Sequence, residues 1–296
     1  MKSFHERPMG RRGFLKGAGG AIASVTIGGC SSLERLTQKH FLEMTPEDME
    51  AVRTRLLSEY KRKYGRNFVL GTEPARDGEL YGYGLDISRC VGCRRCVYAC
   101  VHENNQTRTP QIHYIRVLRF EKGNFNFEES DHYYPAGMMP QEGYFYVPVQ
   151  CQQCENPPCV KACPTGATWK EPDGLVVVDY DWCIGCRYCM AACPYMARWF
   201  NFKEPGISPA EMNPYVHYLG NRPRMRGVVE KCTFCIQRVR KGRYPACVEA
   251  CPVGTRKFGN LLDPESEISK IIETKRVFRL KEDLNTLPKF YYFFTI

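Results

Sequence analysis

The chain has 296 residues, 43% hydrophobic and 25% charged, with a formal net charge of +10 and 17 cysteines. This balance suits one or two globular domains and excludes a disordered tail protein, a collagen-like rod and a polytopic membrane protein. No run of about eighteen apolar residues occurs, so no mature membrane span is encoded.

Residues 1–29 read as an export leader. Arg11-Arg12-Gly13-Phe14-Leu15-Lys16 form a twin-arginine signature, followed by a weakly apolar Gly/Ala-rich run from Gly17 to Gly29. That route exports folded proteins, so thiols are loaded with metal in the reducing cytosol before they meet an oxidising compartment. Ile27-Gly28-Gly29-Cys30 reads as a lipobox, with Cys30 lipidated at the start of the mature chain. Ordinary cleavage nearby, with Cys30 lost or free, is the competing reading. The expected location is the periplasm or the outer face of the cytoplasmic membrane.

Residues 30–80 are expected to hold a linker and an amphipathic helix. Residues 31–44 read as the linker, and Thr45-Pro46-Glu47-Asp48 then supplies an N-cap, a proline at the first helical position and an acidic first turn. Met49, Val52, Leu56, Tyr60 and Tyr64 recur at helical spacing, Gly65 can close the helix, and residues 66–80 read as loop. Within a body of 81–260, His113–Phe120, Tyr144–Val149 and Leu175–Asp179 have strand-like composition. The tail, 261–296, is expected to form a helix near 264–274 and a packed strand or extended arm at Tyr291-Tyr292-Phe293-Phe294.

The body carries four cysteine quartets. The first (90–100) is Cys90, Cys93, Cys96 and Cys100; the second (151–163) is Cys151, Cys154, Cys159 and Cys163. The third (183–193) is Cys183, Cys186, Cys189 and Cys193; the fourth (232–251) is Cys232, Cys235, Cys247 and Cys251. The first and third have the bacterial ferredoxin spacing, while the second and fourth lengthen the gap before the third cysteine. Three cysteines at steps of three let one tight loop wrap three irons of a cubane cluster. The fourth cysteine points to a neighbouring cluster, so two motifs exchange their last ligand. CPTGATWK followed by GLVVVDYDWCIGC supplies the turns and strands of a two-cluster ferredoxin core.

A disulfide scaffold fails because the cysteines are too many and too tightly bunched in a long chain. Zinc fails because three cysteines in C-x2-C-x2-C do not readily reach one tetrahedral ion. No quartet has lost a ligand, so four 4Fe-4S clusters are expected. The positive charge follows the same logic. Residues 1–29 supply +4 of it, and sixteen thiolates around four dicationic cores bring the loaded mature chain to about −2. Arg94, Arg95, Lys161, Arg187, Lys231 and Arg238 lie near the cluster loops and are candidates to raise potentials, with solvated or salt-bridged roles as the default. His102, His113, His132 and His217 show no metal spacing, and no catalytic constellation is present.

CQQCENPPCVKACPTGA (151–167), CIGCRYCMAACPYMARWFN (183–201) and KCTFCIQRVRKGRYPACVEACP (231–252) resemble a known family. It comprises the four-cluster iron–sulfur subunits of dimethyl sulfoxide, polysulfide and tetrathionate reductases, formate dehydrogenases and nitrite-reductase-associated complexes. Exported members with twin-arginine leaders include the subunit of a complex linked to sulfite reduction. The resemblance implies an α+β fold of two ferredoxin-like dicluster units in a pseudo-twofold relation, with loop and strand insertions. It also implies the ligand sets: Cys90, Cys93, Cys96 and Cys251 (site I); Cys232, Cys235, Cys247 and Cys100 (site II); Cys151, Cys154, Cys159 and Cys193 (site III); Cys183, Cys186, Cys189 and Cys163 (site IV). Val101 departs from the pattern, standing where proline often follows, and puts the local turn in question.

The resulting expectation is a subunit that relays single electrons and has no substrate-converting site of its own. Its implied partners are a polytopic quinone-interacting membrane subunit of the polysulfide-reductase type and either a molybdopterin catalytic subunit or a multihaem cytochrome c. A free-standing periplasmic polyferredoxin is the alternative. A zinc-dependent nucleic-acid binder is a remote third, and no nucleic-acid partner is expected.

Overall fold

Every quartet is entered by one β-strand and left by another, and the pairing of those strands organises the molecule. The computed structural model describes residues 38–127, 129–135 and 139–295. The expected leader, Cys30 and residues 31–37 of the expected linker lie outside the described residues. Lys39–Ile296 form one unit, distinct from Met1–Gln38.

In chain order, the helix α1 (Pro46–Tyr64) comes first. Its N-terminus is a capping box: Thr45 Oγ1 accepts from the Asp48 N–H and the Asp48 carboxylate accepts from the Thr45 N–H. Val52, Leu56 and Tyr60 form its buried stripe, and Gly65 ends it in the left-handed region. The strand β1 (Val69–Gly71) lies inside the segment expected to be loop. Three residues are too few to show alternation, and β1 is fixed by parallel pairing with a strand 146 positions downstream, Val69 opposite Tyr215.

β2 (Tyr81–Asp86) enters the first quartet, which carries α2 (Arg95–Glu103), and β3 (Arg116–Glu121) leaves it. β3 begins later than the expected His113 because the Tyr114 N–H is taken by Gln106 Oε1. β4 (Tyr144–Val149), α3 (Pro158–Lys161) and β5 (Thr168–Lys170) frame the second quartet. β6 (Val176–Val178), α4 (Tyr188–Ala191) and β7 (Arg198–Phe200) frame the third. After β8 (Tyr215–His217), the fourth quartet is framed by β9 (Val229–Lys231), α5 (Ile236–Val239), α6 (Ala246–Glu249) and β10 (Arg256–Asn260). Each exit strand pairs antiparallel with the next entry strand: β3 with β4, β5 with β6, β7 with β9. β10 then pairs back on β2, so the series closes on itself.

The tail completes that closing sheet. α7 (Glu267–Thr274), capped by Ser266, buries Ile268 against β2 and β10. β11 (Val277–Phe278) pairs with β12 (Phe290–Phe293), and β12 lies parallel to β2. The aromatic tail is therefore a packed strand, with Phe290 stacked on Tyr83 at 4.6 Å.

The expected linker extends too far into the chain. His40 Nε2 donates to the Gly166 carbonyl at 3.2 Å, and the ring lies between Trp169 and Trp182. Phe41 stacks on Trp169 and Tyr218. Packing two half-buried aromatic rings against Trp169, Trp182 and Tyr218 fixes this stretch to the body. Among the described residues no helix is long and apolar enough to cross a membrane.

Candidate metal centres

The loops that present the cysteines share one backbone device. The residue just before the second cysteine of each quartet has a positive φ: Gly92 (+71°), Gln153 (+45°), Gly185 (+71°) and Phe234 (+54°). This turns the loop back so that successive thiols converge. The two glycines also sit in tight packing, where a Cβ would collide with Tyr146 at position 92 and with the Gly227 carbonyl oxygen at 185. Gln153 justifies its strained backbone differently. Its side chain accepts from the Val176 N–H and donates to the Cys232 carbonyl, both at 2.8 Å, tying the second loop to the third and fourth. Gly185→Ala is expected to cost about four irons, those of site IV, while the other three sites stay loaded; iron and sulfide assays with EPR check it.

All sixteen cysteines of the quartets are free thiols. Cys90, Cys93 and Cys96 share a cavity of about 310 Å³ with Cys251, from the far end of the body. Cys151, Cys154 and Cys159 share one of about 340 Å³ with Cys193. Burial holds Cys100 well above the ordinary thiol range, and charge on Cys235, Cys232 and Cys247 adds to it. Burial also raises Cys183, with Cys163 and Cys186 contributing. The mixed membership that the resemblance implies is thus visible in the lining of two cavities, Cys251 with the first quartet and Cys193 with the second.

The sets adjoin in one order. Cys96 is raised by burial, pulled back by Arg256, and feels Cys247 of site II. Cys232 is pushed by burial up to about 12, with Cys151 of site III the next cause. Cys189 is raised by burial, opposed by Arg198, and feels Cys159 of site III. Site I thus adjoins site II, site II adjoins site III, and site III adjoins site IV.

The donor set fits iron–sulfur clusters. Burial pushes Cys90 and Cys154 up to about 12, so thiolates persist here only if something cationic binds them. Among the described residues no three His, Cys, Asp or Glu converge tightly enough to hold a single metal ion. Arg198 lines the site III cavity, and its Nε and Nη1 are buried without a partner. Buried donors of that kind call for an acceptor inside the cavity. Burial alone would raise Cys163 and Cys251. Hydrogen bonds from Thr165 and from Thr255 bring them below the usual thiol value.

Val101 explains itself structurally. α3, α4 and α6 stop two residues before the last cysteine of their quartets, and proline follows each of those cysteines. With valine in that place, α2 runs through Cys100 to Glu103. The extra turn delivers Asn104, whose Nδ2 reaches Cys100 Sγ at 3.5 Å and Cys235 Sγ at 3.4 Å, and Gln106, whose Nε2 reaches Cys100 Sγ at 3.1 Å.

The six basic residues singled out from sequence divide. Arg95, Lys161 and Arg187 are exposed. Arg94 donates to the His132 and Tyr134 carbonyls. Arg238 pairs with Glu103 and Glu249. Lys231 alone is deeply buried, donating to the Val176 and Cys232 carbonyls. Two others were missed. Arg256 Nη2 donates to Cys96 Sγ at 3.2 Å, and Arg198 Nη2 to Cys159 Sγ at 3.0 Å. The signal was in the sequence: Cys193 and Cys251 each begin C-P-x3-R. His217 is fully buried, and burial pushes it down to about 4, leaving it neutral. His102 is exposed, and His113 and His132 line a surface groove with Arg94 and Arg116.

A family profile described as a 4Fe-4S dicluster domain matches residues 143–209 and 208–261, and a second of the same description matches 89–167. The chain is 40% identical over 254 residues to the Hdr-like menaquinol oxidoreductase iron–sulfur subunit 1 of Archaeoglobus fulgidus, covering 76% of this chain and 87% of that one. It is 35% identical over 237 residues to the iron–sulfur subunit of the arsenate respiratory reductase of a Shewanella species, 71% of this chain and 94% of the relative. With the menaquinone reductase iron–sulfur cluster-binding subunit of Nitratidesulfovibrio vulgaris it shares 35% over 238 residues, 72% of this chain and 88% of the relative.

Proposed function

Because the chain belongs to the 4Fe-4S dicluster iron–sulfur subunits of respiratory oxidoreductase complexes, we propose that it holds four 4Fe-4S clusters, one at each of sites I–IV, in an unbranched row. It is an electron-transfer subunit. The single observation that carries the four-cluster reading is the exchange of last cysteines between quartets, Cys251 lining the cavity of Cys90, Cys93 and Cys96, and Cys193 that of Cys151, Cys154 and Cys159. A 4Fe-4S cluster, when bound, takes up and releases one electron at a time. The chain's own residues fix the spacing of the sites, bury them, and direct hydrogen bonds at their thiolates.

The menaquinol- and menaquinone-linked names of two relatives support a polytopic, quinone-interacting membrane subunit as one partner. A molybdopterin catalytic subunit or a multihaem cytochrome c is the other. The leader supports export of the folded, loaded protein by the twin-arginine route, with Cys30 lipid-anchored at the outer face of the cytoplasmic membrane.

Anaerobic purification tests the cluster reading. The expected sample is brown, absorbs broadly at about 400 nm, bleaches with reductant, and holds about sixteen irons with matching acid-labile sulfide. About eight irons, or no sulfide, would overturn it.

A further inference from the structure

Six arginines are buried among the described residues: Arg198, Arg222, Arg224, Arg238, Arg240 and Arg256. Four have carboxylates. Arg222 meets Asp179 and Asp181, Arg224 meets Glu230, Arg238 meets Glu103 and Glu249, and Arg240 meets Glu171 and Asp173. Among the described residues Arg256 and Arg198 make no ion pair with a carboxylate. Arg256 donates to Tyr83 Oη at 3.0 Å, Gln150 Oε1 at 2.9 Å and Cys96 Sγ. Arg198 donates to Thr168 Oγ1 at 2.9 Å and to Cys159 Sγ. A buried guanidinium is costly unless an anion faces it, and the groups facing these two are cysteine sulfurs, which become anionic on ligating a cluster.

The placement repeats. Each arginine stands five residues after the last cysteine of its quartet and opens the exit strand. Each reaches two sites of one dicluster unit: Arg256 bonds Cys96 of site I and also Tyr83 Oη, which lies 3.2 Å from Cys247 Sγ of site II, while Arg198 bonds Cys159 of site III and its charge also bears on Cys189 of site IV. Arg198 also sits directly opposite Lys231 in the β7–β9 ladder, a like-charge pair in the protein interior. Such a pair is destabilising unless negative charge lies beside it.

We propose that Arg256 and Arg198 are redox-positioning residues, one per dicluster unit, each raising the reduction potential of the two clusters it lies between. The inference rests on the four-cluster reading. Taking up an electron adds one negative charge, and a fixed cation hydrogen-bonded to a ligand sulfur favours that more negative state. The same charge, shared by both sites, weakens the repulsion between reduced neighbours. One neutral glutamine and two hydroxyls, not carboxylates, hold the guanidinium side chains, so their charge is left for the clusters.

The test is potentiometric EPR titration of the full-length protein, with iron and sulfide content measured on the same samples. Arg256→Gln is expected to lower two of the four midpoints, each by roughly a tenfold change in the reduced-to-oxidised ratio, about 59 mV for a one-electron couple. Arg198→Gln is expected to lower the other two. Arg256→Lys, which keeps the charge, is expected to recover most of the shift. Full cluster content with all four midpoints unchanged would overturn the inference while leaving the four-cluster reading intact. Should the glutamine variants lose iron, Gln150→Glu sets a carboxylate against Arg256 without touching a ligand, and the same downward shift is expected. Unshifted midpoints there, or cluster loss there as well, would assign Arg256 a structural role only and overturn the inference.

Discussion

Cys251→Ala is expected to abolish the same EPR signal as Cys90→Ala, and a different one from Cys232→Ala. The reason is that Cys251 belongs by sequence to the fourth quartet but lines the cavity of the first, beside Cys90, Cys93 and Cys96. Iron should fall from about sixteen to about twelve. Were each quartet to bind its own cluster, Cys251→Ala would instead match Cys232→Ala. Comparing the three variants under identical reduction decides between self-contained and exchanged ligation. The effect is large because the position has no spare donor: Thr255, the nearest hydroxyl, bonds the Cys251 sulfur at 3.2 Å.

Arg222→Met should be the most damaging substitution away from the cysteines. Arg222 Nη2 lies 3.3 Å from both Asp179 and Asp181, and the three side chains are at most 1% exposed. Its Nε donates to the Tyr218 carbonyl at 2.8 Å, and its plane packs against Tyr180 and Tyr218. Burial pushes Asp179 up to about 6 even though Arg222 pulls the other way. Removing Arg222 leaves the buried Asp179 carboxylate without its cation and Asp181 with Arg55 at 3.9 Å, a loss of about 3–5 kcal/mol. For a chain of this size that corresponds to a fall of about ten degrees in unfolding temperature. Adding Asp179→Asn and Asp181→Asn to the same protein should restore a good part of it. A scan showing no fall would mean that the network contributes little.

Much of this was legible in the sequence because it is local. The quartets declare themselves by spacing, α1 by its capping box and periodic stripe, and β4 by an aromatic and β-branched run. What sequence could not show depends on distant partners. β1 has three residues and exists through its pairing with Tyr215–His217. Residues 38–44 look like linker because their docking surface, Trp169, Trp182 and Tyr218, is supplied by later segments. Lys231 and Arg238 look alike beside their cysteines; only the fold shows that Arg238 finds two glutamates while Lys231 finds carbonyls. The order of the four sites is also a property of tertiary packing, since the cysteines that adjoin across site boundaries come from different quartets.

The strand series that closes β10 onto β2 bears on how the molecule is made. The second and third quartets lie wholly inside the interval bounded by the first and fourth. As the chain emerges from the ribosome, the inner pair of sites is complete while the outer pair still lacks half its ligands. The outer pair requires a contact such as Asn104 with Cys235, 131 positions apart, and then β12 beside β2 to seal the sheet. Long-range closure of this kind is slow. Maturation therefore ends at the C-terminus, so a chain cut short by translation or proteolysis would keep its middle and lose both of the centres formed by its ends.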